Sequence, residues 1–168
     1  MSIKKITLII IFSFVFNVAN AEDNLKKVGK FKDWESFVLI QEGNKICFAQ
    51  SVPVVKAPKK FKRDASRLFI SFRPAENIKN EVSVTNGYEF KLKTLVTAKS
   101  GKKSYDLFSK GRFAWVVDSN DESKLILIMK KASRLMVIGN TTKDDQTTDH
   151  YSMMGFTKAY NTAKKSCS

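Results

Sequence analysis

The sequence predicts a mainly β fold: an antiparallel β-sandwich or bent sheet with one short amphipathic helix and a C-terminal helix. About eight or nine short runs of β-prone residues follow one another at close spacing, separated by residues typical of turns. Two further segments repeat their apolar residues at helical spacing. The length of 168 residues, with 43% hydrophobic and 27% charged residues, is typical of a globular chain of one domain.

The predicted strands alternate apolar and polar side chains or are bounded by turn residues. The clearest is 67–73, where Leu68, Ile70 and Phe72 alternate with the other side chains and Pro74 follows. Another ends at Asn86-Gly87, a strong turn signal. The full set is 34–40, 45–50, 67–73, 81–85, 92–98, 104–108, 113–118, 135–139 and 147–153.

Two segments predict helices. Residues 123–132 carry an apolar face, and Ser119 with Glu122 has the spacing of a capping box. After Gly155, apolar side chains recur at i, i+3, i+4 and i+7 opposite lysines, so the chain should end in a helix. That apolar face consists of Phe156, Ala159, Tyr160 and Ala163.

Residues 1–21 have the pattern of a secretory signal peptide. Two lysines precede an apolar run over 6–16, and Ala19-Asn20-Ala21 resembles a cleavage site. An uncleaved anchor would need about 20 apolar residues, whereas this run breaks at Asn17. No Cys follows the run, which disfavours a lipoprotein. We therefore expect 22–168 to be a single exported domain, periplasmic or secreted after cleavage near Ala21.

The two cysteines, Cys47 and Cys167, are expected to form a disulfide, because an exported protein meets an oxidising compartment. The bond would tie down the C-terminus. The alternative is a nucleophilic Cys47 with His150 as its base. Against it, Cys47 lies between Ile46 and Phe48 with no basic cluster that would activate the thiol.

Other candidate catalytic or metal-binding motifs are weak. One His and two Cys exclude a Cys/His zinc cluster. Ser100 and Lys103 match Ser-x-x-Lys, but they occupy a predicted hairpin. Residues 118–122 resemble the start of a calcium loop that lacks its later Gly and Glu, so helix capping explains them better.

An acid/base pair could come from three carboxylates in the C-terminal part of the chain, those of Asp144, Asp145 and Asp149. A solvated turn is the simpler interpretation of these residues. His150 follows Asp149 on a predicted strand, and neighbours on a strand point to opposite faces. We therefore predict no catalytic residues, no metal, no cofactor and no enzymatic activity. The alternative is a periplasmic hydrolase or other enzyme whose site the sequence does not group.

The formal net charge is +14, and basic residues concentrate in the connection 55–67. We expect the protein to bind an unidentified envelope component or protein. The basic cluster can hold an anionic lipid or polysaccharide, while nucleic acid is not expected for an exported protein. The competing interpretation is a lysine-rich composition without a partner. The candidate residues are Lys56, Lys59, Lys60, Lys62, Arg63 and Arg67.

Several segments together resemble the invasion-associated locus B family of alphaproteobacteria. The most specific is Tyr-Ser-hydrophobic-x-Gly at 151–155, followed by a helix that ends in Cys167; Met153 stands where Leu is usual, and Ala132 where Gly is expected. The resemblance implies a secreted or periplasmic β-rich domain, linked in some members to host-cell invasion, with no established catalytic residues. The matching segments, in order, are Trp34, 45–49, 67–71, 80–83, 87–90, 113–115, 129–133, 148–156 and Cys167.

Overall fold

A computed structural model describes residues 24–59 and 61–168. The predicted signal peptide and Lys60 lie outside these residues. Within them, no helix is long and apolar enough to cross a membrane.

The described residues form strands β1 to β11 and helices α1 and α2. In chain order these are β1 (Asn24–Phe31), β2 (Trp34–Gln41), β3 (Asn44–Ser51), β4 (Val55–Ala57), β5 (Arg67–Arg73), β6 (Ile78–Thr85), β7 (Val96–Ser100), β8 (Lys103–Lys110), β9 (Phe113–Trp115), α1 (Ser119–Lys131), β10 (Arg134–Asn140), β11 (Gln146–Ser152) and α2 (Phe156–Ser166). A single 3-10 turn, Pro74–Glu76, links β5 to β6 in this part of the chain.

The strands form one antiparallel sheet in the order β1-β2-β3-β5-β6-β9-β8-β7-β10-β11-β4. Strand β8 forms the bend of this sheet. Its first five residues pair with β7, and its last three pair with β9. On one side of this bend lies the first half-sheet, which consists of β1, β2, β3, β5, β6 and β9. On the other side lies the second half-sheet, which consists of β7, β10, β11 and β4.

Helix α2 covers the inner face of the first half-sheet. Its buried side chains, with Phe156 and Ala159 fully enclosed, pack against the fully buried Trp34. The indole Nε1 of Trp34 donates to the Ser152 carbonyl over 2.9 Å, and the Ser36 hydroxyl donates to the Ala159 carbonyl over 2.9 Å. Buried polar groups of the first half-sheet are thus paired with the chain's C-terminal segment.

The C-terminal end of α2 is joined to β3. Cys47 and Cys167 form a disulfide, with an S–S distance of 2.07 Å and Cα atoms 5.8 Å apart. At the other end, Gly155 has φ +94, and an added Cβ would lie 1.8 Å from the Phe31 carbonyl oxygen. Both ends of the helix are therefore held against the first half-sheet.

The predicted fold class is confirmed: an antiparallel bent sheet with a short helix and a C-terminal helix. Two strands were not predicted. Strand β1 is an edge strand with three lysines and one glycine among eight residues, and edge strands carry such charges to discourage further pairing. Strand β4 has only three residues. Neither has the apolar content that predicts a strand.

Two local predictions are wrong. The chain turns at Leu92 and Lys93, where Lys93 has φ 59, so the strand expected over 92–98 begins only at Val96. The N-cap of α1 is Asp118, which accepts hydrogen bonds from the Asn120 and Asp121 amides. The Glu122 carboxylate instead accepts from the Val82 amide over 2.7 Å, because α1 packs beside β6.

Candidate functional site

The basic connection after β3 folds back to make a lined cavity. Strand β4 pairs with β11 at the edge of the second half-sheet, with Lys56 opposite Asp149. The chain then turns, so Lys56, Lys59 and Lys62 come to line one cavity of about 520 Å³. Three of the lysines expected to act together are therefore adjacent in the fold.

Apolar side chains share this cavity. Phe61 and Pro58 line it beside Val54 and Val55, and these two valines are 52% and 42% exposed. Exposed β-branched side chains next to lysines make this edge amphipathic. We call this region, the described residues among 54–62, the basic cavity.

Arg63 lines the base of the cavity but is not an exposed cation, which corrects the sequence interpretation. Its side chain is 2% exposed and forms a two-pronged ion pair with the fully buried Asp149. The same guanidinium donates to the Asn86 carbonyl over 3.0 Å. Asp149 is likewise no part of a solvated turn. The pair anchors the base of the cavity to the interior of the fold.

The Arg63–Asp149 ion pair lies in a buried polar cluster. The Tyr88 and Thr147 hydroxyls are 2.6 Å apart, and the Arg63 guanidinium lies 5.9 Å from the centre of the Tyr88 ring. Burial raises the pKa of the Asp149 carboxyl, and the pairing with Arg63 opposes that shift. Burial also raises the pKa of Tyr88. Enclosure and mutual pairing give this cluster a structural role.

Close backbone contact completes the anchor. Gly87, predicted to form a turn with Asn86, has φ +78, and an added Cβ would lie 2.2 Å from the Asp64 carbonyl oxygen. The Asp64 amide donates to the Gly87 carbonyl over 3.0 Å. The connection is thus fixed against the end of β6.

Arg67 lies elsewhere. It belongs to β5 and lines a separate cavity of about 250 Å³ with Lys30 and Lys32. Asp33 and Glu35 also line that cavity, so its charge is mixed.

The candidates for catalysis and metal binding are not assembled. Cys47 is fully buried and bonded to Cys167, so it has no free thiol for the proposed pairing with His150. Asp149 is buried and His150 is partly exposed on the opposite face of β11, as the alternation predicts. Asp144 pairs with Lys91 at the surface. Within the described ranges, no three His, Cys, Asp or Glu residues are grouped to hold a metal ion.

A groove that was not predicted from the sequence lies on the outer face of the first half-sheet. It has a volume of about 510 Å³ and lies across β3, β5, β6, β8 and β9. The feature of the sequence that could have indicated this groove is the presence of aromatic residues at outward strand positions, such as Phe69 between Leu68 and Ile70. The lining residues are Phe48, Phe69, Ser71, Arg73, Glu81, Ser83, Lys110, Phe113 and Trp115. We call it the aromatic groove.

Strand register explains why these side chains meet. Phe48 lies opposite Ser71, and Phe69 lies opposite Ser83, which in turn faces Trp115. Because cross-strand partners lie side by side on one face, the serines form a low floor between aromatic walls. The groove is therefore a product of pairing between distant segments.

Comparisons with known proteins identify the fold. No protein-family model matches the chain, and no curated protein matches it. The crystal structure of invasion associated protein B from Bartonella henselae is similar to it, with a TM-score of 0.56 and 17% identity. The match covers 79% of this chain and 91% of that chain. The chain thus has the fold of invasion associated protein B, in agreement with the family that its sequence resembles.

Proposed function

We propose that this chain is an exported, non-enzymatic envelope protein of the invasion-associated locus B type that binds an anionic lipid surface through the basic cavity. Three lysines around one cavity carry the proposal. Lysine charges near an anionic membrane surface contribute about 1 kcal/mol each.

The exposed valines favour a lipid surface over a soluble anion. Val54 and Val55 stand next to Lys56, and apolar side chains beside basic ones are the composition of interfacial membrane sites. A soluble anion would use only the ammonium groups and leave the valines in water. The Arg63–Asp149 pair supports the cavity from below, so its shape exists before binding.

Export and a non-enzymatic role complete the proposal. The disulfide is the kind of bond that persists in oxidising compartments, and the neighbour in fold is named for invasion rather than for a reaction. If residues 1–21 are removed, N-terminal sequencing of the exported protein should begin within a residue or two of Glu22. Recovery of an uncleaved chain would contradict the signal-peptide part of the proposal.

The test replaces Lys56, Lys59 and Lys62 together by Gln. We expect retention on vesicles of phosphatidylglycerol and phosphatidylcholine to fall on the order of 100-fold, since about 1 kcal/mol is lost per lysine. Retention of the unchanged protein should also fall steeply with added salt.

A matched control removes the same charge elsewhere, by Lys99→Gln, Lys102→Gln and Lys103→Gln on the exposed β7–β8 hairpin. This variant should keep most of its retention, and neither protein should bind phosphatidylcholine alone. Equal loss in both triple variants would show that net charge, rather than the basic cavity, causes retention. Binding of inorganic polyphosphate without any vesicle binding would assign the cavity to a soluble anion.

A further inference from the structure

We propose that the aromatic groove is a second binding site, which takes a saccharide chain carrying an acidic group. The proposal is independent of the basic cavity, because the two sites share no lining residue. It stands on three features of the groove: its walls, its floor and the charge at its ends.

The walls are aromatic rings that the fold leaves in contact with solvent. Phe113 is 49% exposed, and Phe108 beside the groove is 51% exposed. Phe108 packs edge-on against Trp115 at 5.7 Å between ring centres, and Phe48 packs edge-on against Phe69 at 6.1 Å. Apolar side chains clustered on a surface mark a binding site more often than single exposed ones do.

The floor is polar and low. Ser71 and Ser83 line the groove between the rings, and their small side chains leave the volume above them open. A purely apolar ligand would cover these hydroxyls without bonding to them, which costs free energy. A sugar ring instead presents an apolar face to an aromatic wall and hydroxyl groups to the serines.

The rim holds a fixed donor and acceptor. The Arg73 guanidinium donates to both carboxylate oxygens of Glu81 at 2.9 and 2.8 Å, and a third contact joins it to Glu76 at 3.1 Å. Hydrogen bonding to Glu81 raises the pKa of Arg73. Lys110 lines the groove as well, so the rim offers charged groups that can bond to ring hydroxyls.

One end of the face carries a small excess of positive charge, because Arg67, Lys30 and Lys32 outnumber Asp33 and Glu35 in the cavity there. Arg67 lies two residues from Phe69 on the same face of β5, and Gln50, which is opposite Phe69, lines the cavity that contains Arg67, Lys30 and Lys32. A chain lying along β5 would pass from the aromatic rings to these cations. This continuity favours an acidic substituent over a neutral saccharide.

The size of the groove argues against a protein partner. About 510 Å³ lies within the range of small-ligand sites, roughly 300 to 1,000 Å³. A standard protein interface uses about 20 to 30 residues on each side, whereas nine residues line this groove. A few saccharide units match its dimensions better.

The two tryptophans make the proposal measurable. Trp115 lines the groove, while Trp34 is fully buried in the core and reports only on folding. Titration of the disulfide-bonded protein with tetragalacturonate should give a saturable change in tryptophan emission. The acidic probe should bind roughly tenfold more tightly than neutral maltotetraose at low salt, and the difference should shrink as salt is added.

Two variants and two controls locate the effect. Ser83→Val raises the floor with a residue that suits a strand, and it should abolish the saturable change; Phe113→Ala should weaken binding roughly tenfold. Leu127→Ala removes a similarly exposed apolar side chain from α1 and should leave binding unchanged. The triple lysine variant of the basic cavity should also bind normally, which separates this proposal from the preceding one.

Several outcomes would overturn the proposal. These are no saturable response to either saccharide, equal affinity for the acidic and neutral probes at low salt, or unchanged binding by Ser83→Val. Binding of the peptide Phe-Gly-Phe-Gly-Phe without any saccharide response would assign the groove to a peptide instead. Unchanged thermal unfolding midpoints for the variants would show that lost binding is not lost folding.

Discussion

The two faces of β5 differ in exposure although they belong to the same seven residues. On the inner face Leu68 and Ile70 are fully buried and Phe72 is 4% exposed, under the cover of α2. On the outer face Phe69 and Ser71 line an open groove. The same alternation therefore builds the core on one side and the aromatic groove on the other.

Burial distinguishes the structural residues of this sheet from the candidate binding residues. An apolar residue at an inward position is explained by burial, which stabilises the fold. At an outward position, contact between neighbouring rings stabilises the sheet, but burial in the core does not account for the residue. The same contrast separates the enclosed Arg63–Asp149 pair from the Arg73–Glu81 pair on the outer face.

The largest predicted effect comes from breaking the enclosed ion pair. Arg63→Ala leaves the buried Asp149 carboxylate without its partner and should lower the free energy of unfolding by about 3–5 kcal/mol. Arg73→Ala breaks a pair whose side chains are 21% and 28% exposed, and it should cost about 1 kcal/mol or less. Urea unfolding at neutral pH measures both.

A double replacement tests the cause. Arg63→Leu with Asp149→Leu removes both charges and should recover much of the stability lost by Arg63→Ala. If Arg63→Ala and Arg73→Ala cost the same, the distinction between the two pairs fails.

The second prediction concerns the disulfide that holds helix α2 over the inner face of the first half-sheet. Replacing Cys47 and Cys167 by Ser should cost roughly 2–5 kcal/mol. Amide hydrogen exchange should rise first in α2, because the bond holds the end of that helix against β3. Exchange in β10, which lies in the second half-sheet, should change less.

Peptide mapping provides the control. Non-reduced protein purified from an oxidising compartment should yield the linked Cys47 and Cys167 peptides, and dithiothreitol should reproduce the exchange pattern of the double variant. Two free thiols in exported protein, or uniform loosening of both half-sheets, would contradict this account.

The smallest predicted effect lies on the outer side of the first half-sheet. The Lys27 ammonium, 2.7 Å from the Glu35 carboxylate, lowers the pKa of Glu35 through a hydrogen bond. A carboxyl whose pKa is lower in the folded state stabilises the fold above its ordinary pKa of about 4.5, and this contribution disappears as the pH falls through the folded value. Since the pair is partly exposed, the contribution should be below about 1 kcal/mol.

The measurement is the difference in unfolding free energy between the unchanged protein and Glu35→Gln. This difference should be present at neutral pH, where the carboxylate is charged, and should disappear as the pH falls through the lowered pKa of Glu35 and the carboxylate becomes protonated. A difference that grows on acidification would mean that Lys27 does not hold the carboxylate in its charged form.

Much of the fold was predictable because its signals are local. The alternation over 67–73 predicts β5 with the correct inner face, and the spacing from Phe156 to Ala163 predicts the buried side of α2. The cysteine pairing followed from the predicted compartment and the count of two. The polar edge strand β1 was missed because only its pairing with β2 makes it a strand.

The candidate sites were less predictable because they depend on contacts between distant segments. The basic run at 55–67 was visible, but its charges separate in the fold: Lys56 and Lys62 line the basic cavity, Arg63 turns inward to Asp149, and Arg67 joins another face. The distance in sequence between Arg63 and Asp149 is 86 residues. No local pattern identifies such a partner.

The amino-acid sequence alone determined the composition, the alternating strand runs and the apolar helix faces. The runs and faces are visible in the sequence because side chains repeat every two residues along a strand and every 3.6 along a helix. Only the order and register of the sheet determine which outward aromatic residues meet and which arginine is enclosed. The aromatic groove needs Phe69 beside Ser83 and Ser83 beside Trp115. Those neighbours exist because antiparallel pairing brings three separate strands side by side.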